Sequence, residues 1–371
     1  MTKSQEEWIK LAKERQVEDL EGEPEEGQWY RIPVPGAVCA GGSPYWGYLR
    51  KGTEPNLIVC FSGGGVSINE YTAARPNRLG ITGETFYSSE DTMLINDLIL
   101  GIGIFNDEPD NPFRNWSHIF VSYSTGDFHV GNGDYHYASP DGSPAVLHHH
   151  GYRNYRGLMD QAVKHLSPPA KLLITGASAG AFGASALASD VMSYFPDCHD
   201  VTCCPDSSLL LYDQWQSVAR NIWQAEERIW KSLHSFDICL DWMRNLYAEK
   251  GNNIKYLYTC SIRDAMLSQY QHFIDYGTLE LTREQCLQFE KDLKGMIDVL
   301  KAELPGIGLF LTDSPAAGMA PEVPGTQHTR ILDFNFPLSD IHGVSLRDWM
   351  WSGVNGTVYD AGLELLNREE S

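Results

Sequence analysis

The sequence predicts an α/β fold built on a mostly parallel sheet, on three observations. Short apolar runs end in small or polar residues, helix-like stretches alternate with them, and a Gly-x-Ser-x-Gly pentapeptide joins one run to the helix that follows. The runs are 56–62 (NLIVCFS), 118–124 (HIFVSYS), 171–175 (KLLIT) and 255–260 (KYLYTC). Continuous apolar runs with β-branched residues suit strands covered on both faces. Alternation of strand and helix points to parallel pairing through crossover helices.

Between the runs, 155–166 carries Leu158, Ala162 and Leu166 at helical spacing, and 180–195 is an Ala-rich helix opening at a glycine-bearing turn. The stretch 207–250 is rich in Trp, Leu and charge and reads as a helical insertion, either a cap over a pocket or a packing layer. Residues 1–26 read as an amphipathic leader, with Trp8, Ile9, Leu11 and Ala12 on one helical face and the acidic stretch 18–26 dividing it from the body. Residues 27–371 are then expected to form one α/β domain. In sheets of this kind ligands bind beyond the carboxyl ends of the strands, so the residues just after each run are where chemistry is sought.

Composition narrows the function classes. At 371 residues and 42% apolar content the chain can bury a large core, which excludes a disordered chain or a small disulfide scaffold. Lys plus Arg is 28 against 49 for Asp plus Glu, a formal charge of −21 without a basic patch. That charge disfavours both a nucleic-acid backbone and an anionic membrane surface as partners. No apolar stretch reaches the roughly 18 residues of a membrane span, and the N-terminal residues lack the apolar core of a signal peptide. The eight cysteines show no paired C-x-x-C spacing. A reduced, cytoplasmic protein is the simplest expectation, with a Cys39–Cys60 disulfide left open.

The strongest chemical signal is KLLITGASAGAFGASA. Here 176–180 is Gly-x-Ser-x-Gly in the strand–turn–helix setting that a nucleophile elbow requires. The small residues flanking Ser178 allow a strained turn that lifts its hydroxyl above the sheet, and the helix N-terminus aims the Ala179 N–H at a developing oxyanion. The second signal is FSGGG at 61–65. A glycine turn after the first run can supply further oxyanion N–H groups, from Gly64 and Gly65. A phosphate loop is the weaker reading, because neither G-x-x-x-x-G-K nor G-x-G-x-x-G is matched.

A nucleophilic serine needs a base, and the base needs an orienting acid. In the chain order Ser, acid, His, Asp264 follows the run 255–260 and ranks first; Asp206 ranks second, with Asp313 and Asp340 behind. Among the later histidines, His328 and His342 lie in loop-forming sequence and His272 in a helix-like stretch. The cluster His148-His149-His150, near Asp127, His129 and His136, reads as polar lining rather than a metal site, because consecutive side chains diverge. No metal or other cofactor is expected.

The set Cys39-x-x-Gly-Ser-Pro-Tyr, FSGGG, YSTGDFHVGN (123–132), HHGYRN (149–154) and TGASAGAFGA (175–184), in that order, resembles the pectin acetylesterase family, which also contains the Notum-type deacylases. The resemblance spans about residues 29–350. It implies an α/β-hydrolase-like three-layer sandwich and a metal-free serine esterase with Ser178, Asp264 and His328 as triad and Gly64, Gly65 and Ala179 as oxyanion donors. It also implies that the YSTGDFH segment lines the pocket, with Asp127 and His129 as substrate-pocket candidates that support its lining; Asp206, the second-ranked acid, is a further pocket candidate. The chain departs from the family at Val66-Ser67, where Trp-Cys is usual, in the acid segment IRDAM, and at Ser207-Ser208. Its charge disfavours a long polyanion through repulsion. The expected substrate is therefore a small acylated molecule, an acetylated sugar such as a pectin-derived oligosaccharide. The alternatives are a deacylase of another small or lipid ester and a catalytically inactive carbohydrate-binding member that stacks sugars on its 10 Trp and 18 Tyr.

Overall fold

The structure is a computed structural model that describes residues 17–78, 83–89, 93, 96–318 and 322–368. The leader residues Trp8, Ile9, Leu11 and Ala12 lie outside the described residues, as does the side chain of Asp340.

The strands are β1 (Trp29–Val38), β2 (Pro44–Arg50), β3 (Asn56–Phe61), β4 (Ser117–Val121), β5 (Gly133–Ala138), β6 (Pro144–His149), β7 (Lys171–Ala177), β8 (Asp200–Asp206), β9 (Lys255–Ser261) and β10 (Gly308–Thr312). The main helices are α1 (Gly151–Ala162), α2 (Ala179–Ser193), α3 (Ile238–Lys250), α4 (Ala265–Tyr276), α5 (Arg283–Glu303) and α6 (Leu346–Val354). Eight strands form one sheet in the order β1-β2-β4-β3-β7-β8-β9-β10. The last six are mutually parallel, and β1 and β2 add an antiparallel hairpin at one edge. β5 and β6 form a separate hairpin.

The central strands are buried along their whole length, from Leu57 through Phe61 and from Leu172 through Ala177. That is the reason their sequences read as unbroken apolar runs rather than alternating ones. α2 lies against β3, β7 and β8 and also packs on α3, while α6 packs on β8, β9 and β10. The segment between β8 and β9 is helical in pieces, at Trp215–Ser217, Val218–Ile222, Glu227–Trp230 and α3. Trp215 and Trp223 are buried in the apolar core.

Some boundaries differ from the sequence expectation for identifiable reasons. The run 118–124 ends as a strand at Val121, because Ser122 and Ser124 leave the ladder and give their carbonyls to Tyr45 Oη and Ala40 N at 2.9 Å each. α1 begins at Gly151, four residues before the expected start, because the distant Asp127 carboxylate accepts the Gly151 N–H at 2.8 Å. β8 passed unrecognised, since DVTCCPD has a proline and two cysteines where β-branched residues would signal a strand. Cys60 is a buried free thiol, as are Cys198, Cys203, Cys204, Cys239, Cys260 and Cys286, so no Cys39–Cys60 disulfide forms.

Candidate active site

β7 ends in the pentapeptide, and the geometry explains its composition. A Cβ on Gly176 would lie 2.2 Å from the Gly180 carbonyl oxygen, and a Cβ on Gly180 would lie 2.0 Å from that of Phe61. Both approaches are to backbone, which cannot move aside cheaply. Between them Ser178 sits at φ 57° and ψ −125°, a conformation an L-residue holds only when its surroundings over-determine it. Its N–H is tied to the Asp206 carbonyl at 2.9 Å. Among the described residues its Oγ has no hydrogen-bond partner, and Ser178 lines a cavity of about 670 Å3.

The glycine turn after β3 borders the same cavity. Gly63 passes so close to the elbow that a Cβ there would stand 2.5 Å from the Ala177 carbonyl oxygen. Gly64 and Gly65 have φ of 152° and 75°, open to glycine and strained for other residues. Their carbonyls are engaged, Gly64 O by Ser88 N at 2.7 Å and Gly65 O by Tyr123 Oη at 2.9 Å. No hydrogen bond from the N–H of Gly64, Gly65 or Ala179 occurs among the described residues. All three residues line the same cavity as Ser178.

His328 also lines the cavity. Its Nδ1 lies 2.9 and 2.8 Å from the two carboxylate oxygens of Asp264. Asp264 is fully buried and caps α4, accepting the Leu267 N–H at 3.0 Å. The loop bearing the histidine is pinned on both sides. Before it, Thr326 pairs with the acid segment through Thr326 N–Arg263 O at 2.9 Å and Ala265 N–Thr326 O at 3.0 Å. After it, Arg330 N and Ile331 N donate to Asp206 Oδ2 at 2.7 and 2.9 Å. Burial works to lower the His328 pKa, but the Asp264 charge and hydrogen bond, with Asp206 behind them, outweigh it and the net shift is upward. His342 is exposed and pairs with Glu364 at 2.8 Å, and His272 bonds the Thr278 carbonyl at 2.8 Å, so neither joins this group.

The pocket candidates Asp127, His129 and Asp206 require correction. None of them lines the cavity; all three are buried behind its wall. Asp127 gathers Thr125 Oγ1 at 2.7 Å, His129 N at 3.1 Å and Gly151 N at 2.8 Å, and burial pushes its pKa up to about 6. His129, pushed down to about 4 by burial, places Nε2 2.8 Å from the Ser62 carbonyl, one residue before the glycines. These side chains hold the glycine turn and the histidine loop from behind; short polar segments in the sequence give no sign of which face they present. The side chains that do form the wall, Phe86, Phe128, Phe182, Leu210, Leu267 and Tyr270, were not singled out from sequence. They come from five separate segments, and each resembles ordinary core.

A strained serine at a strand–helix elbow, in a mostly parallel eight-stranded sheet with helices around it, defines a protein of the α/β-hydrolase-like class. The chain belongs to the pectinacetylesterase family, whose model matches residues 31–239, and so to a family of ester hydrolases. Two crystal forms of the Wnt deacylase Notum from Drosophila share the fold. One gives a TM-score of 0.58 and the other 0.59, each at 15% identity over 88% of this chain and over 92% and 93% of theirs. No curated protein matches the chain.

Proposed function

We propose that this chain is a serine esterase that removes O-acetyl groups from a small carbohydrate, with Ser178, His328 and Asp264 as its triad. The observation that carries the reading is the strained Ser178 elbow opening into the same cavity as the Asp264-anchored His328. The family supports ester cleavage.

In this reading His328 Nε2 takes the Ser178 proton as Oγ attacks the acyl carbon. The N–H groups of Gly64, Gly65 and Ala179 receive the oxyanion, and each donor is worth about 2.7–4 kcal/mol of barrier. The C–O bond to the sugar breaks, His328 protonates the departing alcohol oxygen, and a water deprotonated by His328 releases acetate and restores Ser178. Asp264 keeps the imidazole in the tautomer with the proton on Nδ1 and stabilises its cation. No metal enters this scheme.

The apolar wall favours a second reading, a deacylase of longer acyl esters. Turnover of 4-nitrophenyl acetate, butyrate and octanoate by wild type and Ser178→Ala tests both. Acetate preference lost in the variant supports the first. A rise in kcat/KM with chain length, at up to about 0.8 kcal/mol per buried methylene, supports the second. Undiminished turnover in the variant refutes both.

A further inference from the structure

Away from the cavity, the hairpin β5–β6 gathers three metal-ligand side chains. Asp134 on β5 stands directly across from His148 on β6. His150 follows the end of β6 as the N-cap of α1, and its ring returns to the side that Asp134 occupies. The intervening His149 faces the other way, fully buried, with Nδ1 2.8 Å from the Thr125 carbonyl. Neighbouring histidines thus diverge here, while the outer two, His148 and His150, converge.

The three side chains converge on one point. His148 Nδ1 lies 2.7 Å and His150 Nε2 2.8 Å from the same carboxylate oxygen, Asp134 Oδ1. The two rings stand 5.2 Å apart at 55°. The imidazoles are well shielded, at 28% and 13% side-chain exposure, while the Asp134 side chain is 46% exposed and leaves an open approach.

We propose that Asp134, His148 and His150 form a binding site for a divalent transition metal of the zinc type, completed by water. Two imidazole nitrogens and one carboxylate oxygen suit that class of ion rather than calcium or magnesium. Bonds of about 2.0–2.2 Å place tetrahedral ligand atoms about 3.3 Å apart. The observed cluster reaches that by opening slightly around Asp134 Oδ1 as the metal takes the place of the shared protons. None of the three residues lines the cavity, so the ion takes no part in ester cleavage and the site stands independently of the proposed activity. Its place is structural. It ties the hairpin to the first turn of α1, whose Gly151 N–H is already held by Asp127.

The test is calorimetric titration of chelator-treated, dialysed full-length protein with zinc chloride. Wild type is expected to show one saturable site. Asp134→Asn, which keeps an acceptor for both imidazoles and so preserves the fold, and the double variant His148→Gln/His150→Gln are expected to bind at least tenfold more weakly. Exposed His199→Gln is expected to bind as wild type does. Circular dichroism confirms that each variant is folded. Absence of saturable binding in wild type, or wild-type affinity in both site variants, overturns the proposal.

Discussion

The Asp206 carboxylate accepts the backbone N–H of Arg330 at 2.7 Å, and through that bond a β8 residue holds the loop that carries His328. Asp206 is fully buried and faces His328 without touching it in a hydrogen bond, since His328 Nδ1 belongs to Asp264. With His328 as the proposed base, Asp206 is expected to act as a positioning residue whose two effects separate by substitution. Asp206→Ala orphans the N–H groups of Arg330 and Ile331, at about 1–3 kcal/mol each. It is expected to lower denaturant stability and to cut kcat by roughly 10²-fold, the cost of a misplacement of about 1 Å. Asp206→Asn keeps an acceptor oxygen and removes the charge. Because that charge helps raise the His328 pKa, the acid limb of the pH–rate profile should move to lower pH. A limb that does not move in Asp206→Asn would leave Asp206 a purely structural anchor.

The wild-type profile itself is predictable in sign. The proposed base must be neutral to take the Ser178 proton, and below its pKa it has no free lone pair. Its pKa is raised above the ordinary histidine value by Asp264 despite the opposing effect of burial. The acid limb of kcat/KM on a neutral ester should therefore lie above the ordinary histidine value of 6.5, with activity lost as pH falls through it. Asp264→Asn should lower that limb and cut kcat by roughly 10⁴-fold through the wrong tautomer. A limb below the ordinary value would count against His328 as the base.

The contrast between Ser178 and Asp206 shows what a sequence displays and what it hides. The elbow was legible because its constraint is local: two glycines, a strand before and a helix after. The central strands were legible because burial on both faces leaves an unbroken apolar record. Asp264 was legible from its place after an apolar run. The anchoring contacts of Asp127 and Asp206 were not, because they reach Gly151 and Arg330, 24 and 124 positions away. The antiparallel strands β1 and β2 escaped notice because they mix buried and exposed residues irregularly.

The close approach at Gly180 yields a stability prediction. A methyl group there meets the Phe61 carbonyl oxygen at 2.0 Å, within the rigid contact between α2 and β3. Gly180→Ala gains helix propensity of about 1 kcal/mol but must displace backbone, and overpacking costs about 1–3 kcal/mol or more. The net expectation is a loss of denaturant stability and displacement of Ser178, hence of turnover. Gly295→Ala, in a helix with nothing within 4 Å of the added Cβ, is the matched control and should be stabilising. Equal effects at the two positions would mean that the elbow yields to the added methyl.

Strain at Ser178 provides the converse test. Its φ of 57° costs a non-glycine residue about 1–3 kcal/mol, which the surrounding fold supplies in order to present the hydroxyl. Ser178→Gly removes that penalty in the folded state but adds backbone freedom to the unfolded chain, worth up to about 1 kcal/mol in the opposite direction. Ser178→Ala keeps the strain and deletes only the hydroxyl. Both variants should lose turnover by roughly 10³-fold or more if Ser178 is the nucleophile. Of the two, the glycine variant should be the more stable in denaturant unfolding, by about 1 kcal/mol. A glycine variant less stable than the alanine variant would show that the backbone at the elbow is relaxed, and that the serine is presented without stored strain.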